Sequence, residues 1–97
     1  MIDFLKECII SSYTINKLSK KYPSQLFNLN CNKRDCIKII EYLRSIGINN
    51  IEDLLVNKIE LFYETKEDVE RMFLKHNVSE LVDKINNDYN EIDILFE

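Results

Sequence analysis

Alanine is missing from this chain of 97 residues, and glycine and proline occur once each, at Gly47 and Pro23. A single glycine excludes the glycine-rich loop that cradles a nucleotide phosphate. It also argues against sandwiches and barrels, whose turn signals recur about every 8–12 residues. Histidine is equally scarce, with His76 alone. No segment approaches the roughly 20 apolar residues of a membrane-spanning helix. The first ten residues carry Asp3, Lys6 and Glu7 among their apolar positions. A secretory leader has an uncharged centre, so a cytoplasmic protein with no membrane partner is expected.

The cysteines are three, Cys8, Cys31 and Cys36. An odd number without a leader argues against a disulfide framework. Cys31 and Cys36 enclose four residues, Asn32 to Asp35, not the pair usual in zinc knuckles, and only His76 is left to complete a set. Free thiols in small apolar sites are expected, with no metal and no cofactor.

What is abundant is aliphatic and charged. Isoleucine occurs 14 times, leucine and asparagine 11 times each, and hydrophobic residues make up 45% against 31% charged. This is the composition of one core-forming domain spanning 1–97. Isoleucine, asparagine and lysine have A/T-rich codons, so the bias reads as that of an AT-rich genome and weakens propensity arguments. The charge is uneven. Residues 1–50 hold eight Lys/Arg and four Asp/Glu, whereas residues 51–97 hold five and thirteen. The halves therefore carry +4 and −8, a split that suits two surfaces with different partners or head-to-tail self-association.

Apolar residues recur at spacings of three and four, the mark of helices. Ile2, Leu5, Ile9 and Tyr13 make one stripe behind Asp3. A helix from Thr14 carries Ile15 and Leu18 and stops before Pro23, and a short one follows over Pro23 to Leu29. The next runs from Lys33 to Ile46, capped by Asn32, with Cys36, Ile39, Ile40, Leu43 and Ile46 inward. Gly47 is its left-handed terminator, with Ile48 folding back. Asn49 and Glu52 read as a capping pair before Ile51, Leu54 and Leu55, and Ile59, Leu61 and Phe62 continue after a bend near Asn57. Thr65 and Asp68 open a helix bearing Val69, Met72 and Phe73, which ends at Asn77. Ser79 caps a last helix with Leu81, Ile85, Tyr89, Ile92 and Phe96, read as one helix that Asn86-Asn87-Asp88 could break. No segment alternates apolar and polar as a strand does. The expected fold is all-α, a compact bundle of about seven short helices.

A Leu-Phe pair occurs three times, at Leu26-Phe27, Leu61-Phe62 and Leu95-Phe96, at spacings of 35 and 34 residues. Such a period suits two to three degenerate helical repeats, each unit burying its apolar face on the next. The run from Ile37 to Ile48, ending Leu43-Arg-Ser-Ile-Gly47, then Ile51 to Leu55, then Leu61-Phe62, is similar to the helical repeat of the mitochondrial transcription termination factor family. Tyr22-Pro23-Ser24-Gln25-Leu26-Phe27 looks like the last element of a preceding repeat. The resemblance covers residues 22–96, and Lys58 stands where a second proline would open the final helix of a unit. Members of that family are long solenoids that wrap duplex nucleic acid with a basic concave face. In a short chain with an acidic second half, the resemblance implies the fold more than the activity.

For catalysis little presents itself. His76 lies on the stripe of Val69 and Phe73, where packing is the expected role, and no serine or cysteine has a base partner in sequence. The carboxylate pairs Glu52/Asp53, Glu67/Asp68 and Glu91/Asp93 fall in helix first turns or on polar faces, where acids are favoured and solvated. A non-enzymatic module acting by protein–protein recognition or self-association is therefore expected. Tyr13, Tyr22, Tyr42, Tyr63 and Tyr89 offer interface rings. Glu67, Asp68, Glu70 and Asp83 form an acidic face that could meet a basic partner. The alternative is a nucleic-acid-binding protein using the basic half: Lys17, Lys20, Lys21, Lys33, Arg34, Lys38 and Arg44. In that reading the segment from Thr14 to Tyr22 resembles the first helix of a helix-turn-helix. The segment after it makes a poor recognition helix, with Pro23 at its edge and three asparagines inside.

Overall fold

Helices follow one another through the described residues, 4–24 and 26–97, of the computed structural model. In chain order they are α1 (Phe4–Glu7), α2 (Ser12–Lys21), α3 (Leu26–Cys31), α4 (Lys33–Ser45), α5 (Ile51–Asn57), α6 (Lys66–Leu74) and α7 (Val78–Asn87). Two 3-10 helices complete the set, Ile59–Tyr63 after α5 and Tyr89–Phe96 after α7. No strand occurs among the described residues, and the all-α expectation holds. One core runs from Phe4 to Leu95, and α4 lies along α6 while α2 lies along α5. The radius of gyration is 12.7 Å, that of a folded chain of this length, for which about 13 Å is usual.

From α4 to α7 most core residues sit where the periodicity puts them, with Ile46 and Met72 only partly buried. Cys36, Ile39, Ile40 and Leu43 are buried in α4, Ile51, Leu54 and Leu55 in α5, and Val69 and Phe73 in α6. Phe73 meets Tyr42 of α4 edge-on, with ring centroids 5.9 Å apart.

The first stripe is different. Ile2 and Asp3 lie outside the described residues, as do the side chains of Leu26 and Phe27. After only one turn α1 stops, and Ile9 takes the left-handed conformation, φ 61°. Ile10 N–H then donates to Leu5 O and Ile9 N–H to Lys6 O, both at 3.1 Å. This is the two-bond helix terminator that satisfies carbonyls otherwise left open at a helix end. The turn buries Phe4, Leu5, Cys8 and Ile10 and throws Ile9 outward, so Ile9 and Tyr13 leave the stripe expected of them.

The same terminator closes α4. Gly47 N–H donates to Arg44 O at 3.1 Å and Ile48 N–H to Leu43 O at 3.0 Å, with Gly47 at φ 101° and Ile48 buried. A Cβ at Gly47 would only touch Val82 Cγ1 at 3.6 Å, so an alanine there is strained by its backbone alone. The two turns give opposite expectations, since a left-handed residue with a Cβ costs roughly 1–2 kcal/mol. Urea unfolding of Gly47→Ala should show a loss of about 1 kcal/mol, and Ile9→Gly a smaller gain, because added unfolded-state entropy offsets part of the relief. Equal midpoints for all three proteins would contradict this.

Helix starts differ from the expected ones in detail. Asn32 does sit ahead of α4, but its side chain donates to Phe62 O (2.8 Å) and Glu64 O (3.1 Å) instead of capping. Asn50, not Asn49, precedes α5, and its amide donates to Ile85 O at 2.7 Å. Thr65 accepts from Asp68 N–H, half of the box expected there. Asn77 is the cap of α7 through Glu80 N–H, so it opens that helix rather than closing α6, and Ser79 lies inside it. Beyond Asp88 the chain tightens to a 3-10 helix with a three-residue period. That period buries Ile92 and Leu95 and leaves Phe96 exposed.

Candidate recognition surface

The outward turn of α1 and the start of α2 form a corner. Ile9 is 82% exposed and Tyr13, one turn further, 69%. The Lys17 ammonium stands 4.8 Å from the Tyr13 ring centroid, within cation–π range, so a cation and two apolar side chains share this corner.

A carboxylate from another helix fixes the corner to the body. Ser11 caps α2 by accepting from Thr14 N–H at 3.2 Å. Glu52, in the first turn of α5, reaches across with one oxygen, Oε1. That atom accepts from Ser11 N–H (3.3 Å), Ser11 Oγ (2.5 Å) and the buried Thr14 hydroxyl. These hydroxyl bonds, Ser11's first and then Thr14's, hold the Glu52 carboxyl below its ordinary value of 4.5. At the other end of the same helix pair, Lys21 Nζ (3.2 Å) and Tyr22 OH (2.7 Å) both donate to Val56 O. α2 and α5 thus run side by side in the same direction, pinned at both ends.

The far end of α5 leads to a second apolar feature. Lys58 pairs with Asp93 at 3.0 Å, tying the last 3-10 helix to the end of α5. Asn57, Lys58, Glu60, Asp93 and Phe96 line a cleft of about 380 Å³ there. Phe96 is 48% exposed, whereas Phe62, its partner in the Leu-Phe series, is fully buried. Leu61 and Leu95 are both buried.

The cations singled out in the basic half are all exposed: Lys17, Lys20 and Lys21 on α2, and Lys33, Arg34, Lys38 and Arg44 on α4. They do not converge on one element. Lys33 and Arg34 share an open cleft of about 580 Å³ with Cys31 and Ile37, while the α2 lysines sit on the helix that packs against α5. The ion pairs among the described residues use other cations: Lys58 with Asp93, Lys66 with Glu70, and Arg71 with Asp68. The seven cations of the basic half enter none of these ion pairs, although Lys21 is held by Val56 O and Lys17 and Lys33 lie over the Tyr13 and Phe4 rings, and the acidic half spends part of its own charge internally. Of the acidic face, Glu70 and Asp68 are engaged by Lys66 and Arg71 on the same helix, while Glu67 and Asp83 are exposed without an ion pair.

His76 is half-buried beside Glu80, Lys84 and Glu91 around a small cleft of about 120 Å³. The thiols are free. Burial pushes Cys36 up to about 12 and raises Cys8 as well, so both stay protonated and inert, and only Cys31 is exposed. Among the described residues no three His, Cys, Asp or Glu side chains come together as metal ligands, and no helix is long and apolar enough to cross a membrane.

Sequence reasoning missed two members of this surface. Spacing puts Ile9 in a helix stripe, although the neighbouring Ile10 competes for the same inward place and Ser11 is a ready N-cap that ends such a stripe. Glu52 was read as a local cap, and nothing local in sequence points from it to Ser11 and Thr14. No family model, no curated protein and no solved structure matches the chain.

Proposed function

We propose that this chain is a non-enzymatic helical module that works by protein–protein recognition through the corner of Ile9, Tyr13 and Lys17. The observation that carries it is Ile9. A β-branched side chain in the left-handed region costs backbone strain, and 82% exposure adds apolar surface to water. The terminator bonds and the burial of Ile10 offset the first cost inside the molecule, but the second stands, and a partner that covers Ile9 and Tyr13 would recover it. Unpaired lysines around them favour an acidic partner.

The module reads best as three degenerate units of helix, helix and short helix: α1-α2-α3, then α4-α5 and α6-α7, each of these last two followed by its 3-10 helix. In support, the bonds that join elements link Thr14 to Glu52, Tyr22 to Val56, Asp35 to Lys66, Asn50 to Ile85 and Asn86 to Gly47. With Asn32 to Phe62 and Ser11 to Glu52 included, the separations run from 30 to 41 residues, about one period of a stack in which each unit meets its neighbour. This order is also what the termination-factor-type repeat implies.

The test is capture on the immobilised chain. A protein retained at low ionic strength should be released by salt and not retained by the double variant Ile9→Asn, Tyr13→Gln, in which asparagine keeps the left-handed turn. Undiminished capture by that variant would contradict the reading. The seven exposed cations, none of them in an ion pair among the described residues, favour nucleic acid as the second reading. It calls for a mobility shift that falls steeply with salt and is weakened by Lys17→Gln and Lys20→Gln. A chain that shifts no duplex or single strand at low salt would dispose of it.

A further inference from the structure

We infer that the partner of the Ile9–Tyr13 corner is a second copy of this chain, presented at its Phe96 cleft, so that copies stack head to tail. The inference rests on the recognition reading above and names its partner.

In a stack of repeated units, the outer faces of the first and last units lack the neighbour that covers an inner one, and unless polar they remain sticky. Each end here displays a large apolar side chain among its polar ones. In the middle unit Phe62 is fully buried, but its counterpart Phe96 in the last unit is 48% exposed. The middle unit closes its first helix with unstrained Gly47, whereas the first unit uses exposed Ile9 at the equivalent turn. The end units thus depart from the middle one by displaying large apolar side chains.

The ends match in charge. The corner carries Lys17, with Lys20 one turn on, all within a half of net +4. In the cleft Lys58 neutralises Asp93 and leaves Glu60 as the uncompensated charge, within a half of net −8, and the volume of about 380 Å³ leaves room for an isoleucine or tyrosine side chain. They also match in position. The Glu52 bonds place the corner at the start of the α2–α5 pair, and the Val56 bonds and the Lys58–Asp93 pair place the cleft at its end. From Thr14 to Tyr22 alone the separation along α2 is about 12 Å, at roughly 1.5 Å per residue. One chain cannot seat its own corner in its own cleft, and two copies can. The contact uses two different patches, so it repeats along a line unless the rotation closes a ring.

Sedimentation equilibrium on the full chain tests this. At low salt the average mass should rise above 11.6 kDa with concentration, and at about 1 M salt, where the screening length is about 3 Å, it should fall back. The corner variant Ile9→Asn, Tyr13→Gln and the cleft variant Glu60→Lys, Phe96→Gln should each remain at 11.6 kDa. Mixed in equal amounts they should give one species of twice that mass, because one good corner and one good cleft remain. A mixture that stays monomeric overturns head-to-tail stacking, as do single variants that associate like the parent. A wild-type chain that is monomeric at every concentration and salt also overturns it. If that monomer still captures an acidic protein through Ile9 and Tyr13, the recognition reading survives without the second copy.

Discussion

Phe73→Ala should cost about 3–5 kcal/mol, the range for deleting a buried aromatic side chain. Phe73 is fully buried where α6 packs on α4, so the ring leaves a cavity between two helices already held by their own backbones. Its edge-on partner Tyr42 loses about 0.5–1.5 kcal/mol of aromatic contact within that figure. A domain of this size has about 5–15 kcal/mol in total, so the variant stands near the unfolding threshold. Urea titration at neutral pH measures it. A loss below about 1 kcal/mol would place Phe73 outside a packed core. Phe96→Ala is the control, since the same change at a half-exposed ring should cost far less.

Replacing Glu52 by leucine should cost about 1–3 kcal/mol, because the buried Thr14 hydroxyl is left without its acceptor. Glutamine at 52 keeps an acceptor but loses the charge, so a smaller loss is expected. The pH dependence separates the two contributions. The native Glu52 carboxyl lies below its ordinary 4.5, so its share of the stability is complete above that pH. That share disappears as pH falls through the native value, where the carboxyl takes up its proton. Unfolding midpoints from neutral pH to below 4.5 should therefore decline less steeply for Glu52→Gln than for the wild type. Parallel curves would mean that the bonds from Ser11 and Thr14 carry no charge-dependent stability.

Much of this fold was legible because helices declare themselves locally. The stripe of Cys36, Ile39, Ile40 and Leu43, the terminator at Gly47 and the cap at Thr65 each depend on residues within one or two turns, and each stands where the spacing placed it. What failed was non-local or a matter of period. The amides of Asn32 and Asn50 would cap a lone helix, but carbonyls 30 and 35 residues away claim them instead. Nothing near Glu52 in sequence reveals that Ser11 and Thr14 are its partners. An α-helical spacing puts Phe96 inward, and the 3-10 turn rotates it out in favour of Leu95. The candidate surface was the least legible part, since Ile9 matters by breaking a stripe that spacing alone would continue. The cations are exposed on the two helices where the spacing puts them, α2 and α4.

The most direct test of the proposed surface is a dilution series followed residue by residue in backbone amide NMR spectra at low salt. Shifts that move with concentration are expected at Ile9, Tyr13 and Lys17, together with Glu60, Asp93 and Phe96, and they should collapse at high salt. Concentration-dependent shifts confined to other faces, such as the Cys31–Arg34 cleft, would contradict the assignment, as would spectra that do not change.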